Sequence, residues 1–223
     1  MKLLVGGDSF GTRYMVDKAF GDYVQEHYQC EYKNCAVAGI SNRQLIRRTI
    51  EHYNDYKPDV TLVILTAAAR DYRNSITDDL KTHITGQQPT SSYTSEEFVE
   101  TYVSQIEELQ NHIPNLLILQ GVSFAAYGKY AIFDKLNNYI EPGKIVRKKL
   151  EEQYFNLELQ KHRLDKNRFL NIPEPDPAKD GISYHLAKND LIIPDDGHPN
   201  EEGHKWIAQR FIDELDKKNL FQT

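Results

Sequence analysis

The chain has 223 residues, a net charge of −6 and 39% hydrophobic residues. This length suits one domain with a substantial core, and the acidic balance argues against a nucleic-acid-binding protein, which usually carries a basic excess. No apolar run approaches the ~20 residues of a transmembrane helix, so no membrane association is expected.

The amino-terminal segment does not have the pattern of a secretory signal. Its apolar run, Leu3 to Val5, is far shorter than the roughly 7–15 residues of an h-region. We therefore expect a cytoplasmic protein, although a virion component or a product released by lysis would show the same pattern. Cys30 and Cys35 are the only cysteines, which is too few for a metal site or a disulfide framework.

The first quarter of the chain alternates short apolar runs with helical spacing. Residues 2–6 predict a buried strand, and the near-helical spacing of apolar positions over 12–28 predicts a helix. A second strand is expected at 30–37. It is followed by a predicted helix over 41–53, with Ser41 as its N-cap.

The middle of the chain continues this alternation. The β-branched run 60–65 is typical of a central parallel strand, and the polar stretch 71–94 predicts a long loop or lid. A helix is then predicted over 95–112, and a buried strand at 116–121.

The last part of the chain is less regular. Residues 123–142 are aromatic and irregular, and the charged stretch 143–166 predicts a long helix. A last strand is expected at 169–172, a loop with four prolines at 173–194, and a final helix over 200–218.

Strands that alternate with helices predict parallel βαβ units and an α/β fold, a three-layer α/β/α sandwich, in a single domain over residues 1–223. The stretches near 72–94 and 123–166 are longer than a connection needs, which predicts insertions. Ligands in such sheets bind at the carboxyl ends of the strands. That edge is predicted to collect Ser9, Gly39, residues 66–71, Gly121 and His198.

Ser9 and His198 are the candidate nucleophile and base. A serine needs a base to take its proton, and the base needs a partner on its other ring nitrogen. Asp195, three residues before His198, is the candidate partner. Each feature alone is also typical of a helix cap or a polar turn, but their meeting at one sheet edge favours a hydrolase. His185 and His204 add no compact ligand set, so we expect no metal and no other cofactor.

Three blocks of the sequence resemble the SGNH (GDSL-type) hydrolases. Gly7-Asp8-Ser9-Phe10 is similar to the first block, residues 34–42 to the second, and residues 195–204 to the last, with its Asp-x-x-His pair. The resemblance implies a flavodoxin-like, five-stranded parallel sheet and hydrolysis of acyl esters, often acetyl groups on carbohydrates. It also implies an oxyanion hole formed by the backbone N–H groups of Ser9 and Gly39.

The third block differs from the family pattern. Where the family has Gly-x-Asn-Asp, this chain has Ala68-Ala69-Arg70-Asp71. The family's asparagine donates to the oxyanion, and losing one such donor typically costs about 2.7–4 kcal/mol of transition-state stabilisation. Either another group replaces it, with Arg70, Asn42 and Ser41 as candidates, or the enzyme is slow.

The resemblance implies a serine hydrolase that cleaves a small acyl ester, such as an acetyl group on a glycan, through an acyl-enzyme. Its expected partner is a small-molecule or glycan ester, and the oligomeric state stays open. A non-catalytic binding module on the same fold and an acyltransferase are the alternatives. A nucleotide- or flavin-binding protein is disfavoured because Gly6-Gly7-Asp8-Ser9 lacks the dinucleotide glycine spacing and the P-loop lysine.

Overall fold

A computed structural model of the chain describes residues 1–66, 95–121, 160–170, 181–194 and 196–221. The predicted polar loop 71–94, the irregular segment 123–142 and the predicted helix 143–166 up to residue 159 lie outside these ranges. The predicted insertion near 72–94 therefore lies outside the described residues, as does the insertion near 123–166 except for residues 160–166. Within the described residues, no helix has the length and apolar character needed to cross a bilayer.

The described strands form one parallel sheet in the order β2-β1-β3-β4. The strands are β1 (Lys2–Gly7), β2 (Glu31–Asn34), β3 (Val60–Leu65) and β4 (Leu116–Gln120). Beyond β4, Phe169 makes an isolated parallel bridge with Ile118, and the N–H of Leu170 donates to the Ile118 carbonyl at 2.9 Å. The resemblance implies five strands. The described residues form four strands and this single bridge.

Five helices cover the two faces of the sheet in the described part of the chain. They are α1 (Phe20–Tyr28), α2 (Asn42–Tyr56), α3 (Ser95–His112), α4 (Ile182–Lys188) and α5 (Glu201–Lys217). The buried side chains of α1, α4 and α5 pack on one face, against residues such as Val5 and Ile64. Those of α2 and α3 pack on the other face, against residues such as Val63 and Leu65. The predicted three-layer α/β/α architecture is confirmed.

The predicted cap of α2 is confirmed, and the helix is longer than predicted. The Ser41 hydroxyl accepts from the Gln44 N–H, and the Gln44 side chain accepts from the Ser41 N–H. This reciprocal pair satisfies two donors that a helix start leaves without a partner. The helix runs to Tyr56 and ends at Lys57, which is left-handed and precedes Pro58.

The prediction for the segment after β1 was wrong at its start. Instead of a helix from residue 12, Ser9–Gly11 forms a short 3-10 helix, and α1 begins only at Phe20. Met15 lies in the left-handed region (φ 56°), which interrupts any helix there. Asp22 fixes the later start because its carboxylate accepts from the Ala19 N–H at 2.8 Å.

Two further predictions in the last third need correction. The predicted loop 173–194 contains the seven-residue helix α4, whose Ile182 and Leu186 are fully buried. At the predicted end of helix 143–166, the chain forms the 3-10 turns Lys161–Arg163 and Lys166–Arg168 instead.

Candidate active site

Ser9 lies at the carboxyl end of β1, where the strand turns into the 3-10 helix. The Asp8 carboxylate caps this turn by accepting from the Phe10 N–H at 3.0 Å. The Thr12 hydroxyl and N–H both donate to the Ser9 carbonyl, at 3.0 and 3.3 Å. Ser9 is only 4% exposed, so its hydroxyl has a fixed place at the sheet edge.

His198 reaches this edge on a loop that is pinned at its base. The Ile193 N–H donates to the His198 carbonyl at 2.8 Å, and the Asn200 N–H donates to the Leu191 carbonyl at 3.0 Å. Helix α5 approaches this loop so closely that a Cβ on Gly203 would lie 2.2 Å from the Leu191 carbonyl oxygen. The loop is therefore held against the start of α5, and His198 projects from it.

The structure brings Ser9 and His198 together across 189 positions of sequence. His198 Nε2 lies 2.8 Å from Ser9 Oγ, and His198 Nδ1 is bonded to the Asp196 carboxylate. The His198 and Asp196 side chains are 24% and 27% exposed, so both are partly shielded from water. A carboxylate on Nδ1 holds the proton there and leaves Nε2 free to accept the hydroxyl proton.

The structure describes one of the two aspartates of the last block. Asp195, the residue that the Asp-x-x-His spacing indicates, lies outside the described residues, and its role stays a prediction. Asp196 is the carboxylate that the structure places on His198 Nδ1, and its Oδ1 also accepts from the His198 N–H at 3.3 Å. Gly197 between them has a φ of +84°, a conformation that side chains rarely adopt.

Two aromatic residues that the sequence did not single out contact the His198 ring. Phe10 meets it edge-on, with ring centroids 5.7 Å apart, and Tyr14 packs on it at 4.5 Å with a 44° tilt. Tyr14 belongs to the segment where a helix was predicted. Its helical spacing therefore pointed to core packing, and no local signal linked it to His198.

Gly39 follows the segment that leaves β2 and passes the end of β1, and its role as an oxyanion donor stays a prediction. The Val37 N–H donates to the Gly7 carbonyl at 3.0 Å, so the chain after β2 still runs along the end of β1 two residues before Gly39. Gly39 is exposed, has a φ of +80°, and a Cβ placed on it would meet no atom within 4 Å. Among the described residues, no atom therefore fills the place where a side chain of residue 39 would lie.

The remaining oxyanion candidates are Asn42, Ser41 and Arg70. The fully buried Asn42 clasps the end of β3, because its amide donates to the Thr66 carbonyl and accepts from the Thr66 N–H, both at 3.0 Å. Ser41 caps α2. Arg70 lies outside the described residues.

His204 has a structural place. It is 1% exposed, and its Nδ1 accepts from the Phe20 N–H at 3.2 Å. Burial lowers the pKa of His204 to about 4, with Asp22 partly opposing that shift, so the ring stays neutral at pH 7. Among the residues that the structure describes, no three His, Cys, Asp or Glu side chains come together as a possible metal site.

A serine hydroxyl bonded to an imidazole, whose other nitrogen meets a carboxylate at the carboxyl edge of a parallel sheet, is the arrangement of a serine hydrolase. The GDSL-like lipase/acylhydrolase family matches residues 5–211, and the chain belongs to this family. It is therefore an esterase of the SGNH (GDSL) type. No curated protein matches the chain.

Solved structures of esterases share the fold. The esterase EstA from Pseudoalteromonas sp., in a structure inhibited by monoethylphosphonate, aligns with a TM-score of 0.54 and 14% identity over 97% of each chain. The acetylxylan esterase Axe2 from Geobacillus stearothermophilus aligns at 0.53 and 16% identity, over 96% of this chain and 93% of that one. A lipase/acylhydrolase from Enterococcus faecalis aligns at 0.54 and 15% identity, over 97% and 96%.

Proposed function

We propose that this esterase cleaves small acyl esters, with acetyl groups on a carbohydrate as its substrate class, and that Ser9 and His198 carry the reaction. The observation that carries the proposal is the 2.8 Å contact between Ser9 Oγ and His198 Nε2, with a carboxylate on Nδ1. The fold shared with an acetylxylan esterase supports the acetyl and carbohydrate parts of the proposal.

The reaction proceeds in two halves that pass through one covalent intermediate. Ser9 Oγ bonds to the ester carbonyl carbon while its proton moves to His198 Nε2. The same proton then goes to the departing alcohol oxygen as the carbon–oxygen bond breaks, which leaves an acyl-serine. Water attacks the acyl-serine, gives its proton to Nε2, and the free acid leaves as Ser9 regains a proton.

The negative oxygen that forms in each half needs donors that are already in place. We assign this role to the backbone N–H groups of Ser9 and Gly39, supported by their positions in the segments that follow the neighbouring strands β1 and β2. Arg70 is the proposed third donor, since a guanidinium is always charged and offers several N–H groups. Asn42 is not assigned here, because its amide already clasps Thr66.

Two adjacent carboxylates are candidates for the acid that orients His198. We assign the role to Asp195, and Asp196 is the rival because it is bonded to His198 Nδ1. Catalytic variants of Axe2 change a serine, an aspartate and a histidine, and that aspartate precedes that histidine by three positions. Asp195 has the same spacing to His198.

The test is hydrolysis of p-nitrophenyl acetate, butyrate and octanoate, and release of acetate from an acetylated xylo-oligosaccharide. Wild type should prefer acetyl esters and lose activity on acidification, because protonated His198 cannot accept the serine proton. Ser9→Ala should be inactive on every substrate, whereas Ser104→Ala, a serine on α3, should match wild type. Full activity of Ser9→Ala would overturn the mechanism, and a preference for octanoate would overturn the substrate class.

A further inference from the structure

The segment directly after Ser9 presents an exposed aromatic ring to the site. Three large hydrophobic side chains are exposed among the described residues, and two of them are neighbours here. Tyr14 is 38% exposed and Met15 is 67% exposed. Of these two side chains, Tyr14 contacts the His198 ring.

Hydrogen bonds tie the segment before Tyr14 to the body of the protein, and a backbone turn follows it. On one side, Thr12 donates twice to the Ser9 carbonyl. Next to Tyr14, the Arg13 guanidinium makes two bonds to the buried Asp22 carboxylate, at 2.9 and 2.7 Å. On the other side, Met15 takes a left-handed turn. The Tyr14 backbone is therefore held at a set distance from Ser9.

The side chain of Tyr14 contacts His198 and lies close to Asp196. Its ring packs on the His198 imidazole at 4.5 Å, and its hydroxyl lies 3.5 Å from Asp196 Oδ2. The ring contact is the stronger of the two, since 3.5 Å is a long hydrogen bond. Phe10 adds an edge-on contact to the same imidazole.

We propose that Tyr14 is a positioning residue for hydrolysis, whose ring holds the His198 imidazole in line with Ser9 and stabilises the positive charge that the imidazole gains in the transition state. The inference rests on the proposed function, because it acts through His198. A cation within about 6 Å of an aromatic centroid is attracted by the ring's negative face. This attraction exists only while His198 is protonated, so it favours the transition state over the resting enzyme.

Two other titratable groups also act on the charge of His198, so their effects must be distinguished from that of the Tyr14 ring. Asp196 faces the imidazole directly, and His204 is close enough for its own pKa to be lowered by His198. His204 is buried and neutral at pH 7. Tyr14→Leu leaves both groups in place, and comparison with Tyr14→Phe separates the effect of the ring from that of the hydroxyl, which lies 3.5 Å from Asp196 Oδ2.

The experiment compares Tyr14→Leu and Tyr14→Phe with wild type on p-nitrophenyl acetate and butyrate, across pH. Tyr14→Leu should lower kcat about tenfold on both esters with little change in KM. The acid limb of its profile should move to lower pH, because the protonated imidazole has lost a stabilising partner. Tyr14→Phe keeps the ring and should keep kcat within about threefold.

Tyr56→Leu is the matched control. Tyr56 is a partly exposed tyrosine on α2 whose ring lies near Lys2, at the opposite end of the sheet. It should keep wild-type kcat, and thermal unfolding of all variants shows whether any loss comes from folding. A KM change in Tyr14→Leu that grows from acetate to butyrate would overturn the inference and make Tyr14 part of a substrate wall.

The Ser9→Ala variant distinguishes failure of the Tyr14 inference from failure of the proposed function. If Ser9→Ala is inactive and Tyr14→Leu matches wild type, the inference fails and the proposed function stands. If Ser9→Ala is fully active, the proposed function fails first. If Tyr14→Leu does not fold, Tyr14→Trp decides: it should keep kcat because it retains an aromatic face, and a tenfold loss would count against the inference.

Discussion

The two sides of the Ser9 hydroxyl are built from different kinds of groups. On the proton-transfer side, side chains from two distant segments meet: His198 and Asp196 from the loop before α5, and Tyr14 from the loop after β1. On the proposed oxyanion side, the assigned donors are mainly backbone N–H groups, those of Ser9 and Gly39, with Arg70 as the proposed side-chain donor. The Asn42 side chain there holds the end of β3.

Because of this difference, substitutions on the two sides should affect the reaction rate and the stability of the fold differently. Substitutions on the proton-transfer side remove the reacting or orienting atoms themselves, so they should reduce the rate severely while leaving the fold intact. Substitutions on the oxyanion side leave the backbone donors present and act through their position. Except at Arg70, whose side chain is itself a proposed donor, they should cost less activity and more stability.

The largest effect on the proton-transfer side is expected from the orienting aspartate. Asp195→Asn should lower kcat about 10⁴-fold, the size of loss seen when a triad loses its carboxylate and the histidine adopts the wrong tautomer. Asp196→Asn should cost about tenfold. The comparison of both variants by steady-state kinetics assigns the acid. The reverse order would transfer the role to Asp196, the residue bonded to His198 Nδ1.

Arg70 tests whether a side chain contributes to the oxyanion side. Arg70→Ala should lower kcat about 10²–10³-fold, the usual cost of removing one oxyanion donor. Arg47→Ala, which removes an exposed arginine paired with Glu51 on α2, serves as the control and should be neutral. Full activity of Arg70→Ala beside an inactive Ser9→Ala would leave the oxyanion to backbone donors alone.

The buried His204 on α5 provides a test of stability near the loop that carries His198. Its folded-state pKa of about 4 lies below the ordinary value of 6.5, so the unfolded chain binds the extra proton first. Stability should therefore fall as pH drops from about 6.5 to about 4, by about 3 kcal/mol from this residue. Urea unfolding across this range measures the loss.

His204→Asn should flatten that pH dependence, because an amide oxygen can still accept from the Phe20 N–H but does not titrate here. The exposed His27 on α1 gives the control, and His27→Asn should keep the wild-type slope. An unchanged slope in His204→Asn would show that other groups set the acid sensitivity.

The smallest expected effect concerns Asn42. Asn42→Ala leaves the buried Thr66 N–H and carbonyl without this partner, which should cost about 2 kcal/mol of unfolding free energy. Asn54→Ala, at an exposed position of the same helix, should change stability little. A hundredfold loss of kcat in Asn42→Ala without loss of stability would instead make Asn42 an oxyanion donor.

The sequence predicts the frame of the site well because β1, β3 and β4 are largely apolar runs, although β2 is a polar edge strand. Such runs fit only buried parallel strands, and their carboxyl ends share one edge, so the meeting of Ser9 with His198 could be expected before any coordinates. The cap at Ser41 is equally local, since it depends on four consecutive residues.

The parts that the sequence did not predict depend on contacts between distant segments. Tyr14 and Met15 fit a helical pattern, but the 3-10 turn at Ser9 and the Asp22 cap delay the helix to Phe20. Helix α4 has seven residues, too few for a clear helical period. The contact of Tyr14 with His198 joins two loops, and neither loop carries a pattern that indicates the other.

In the proposed mechanism His198 activates Ser9, and covalent labelling of the serine measures that activation. Wild type, Ser9→Ala and His198→Ala are treated with a fluorophosphonate, and intact and peptide masses are measured over time. We expect one phosphonyl group on Ser9 in wild type and none in Ser9→Ala. Labelling of His198→Ala should be slower by about 10³-fold or more. Labelling at another residue, or His198→Ala labelled at the wild-type rate, would contradict it.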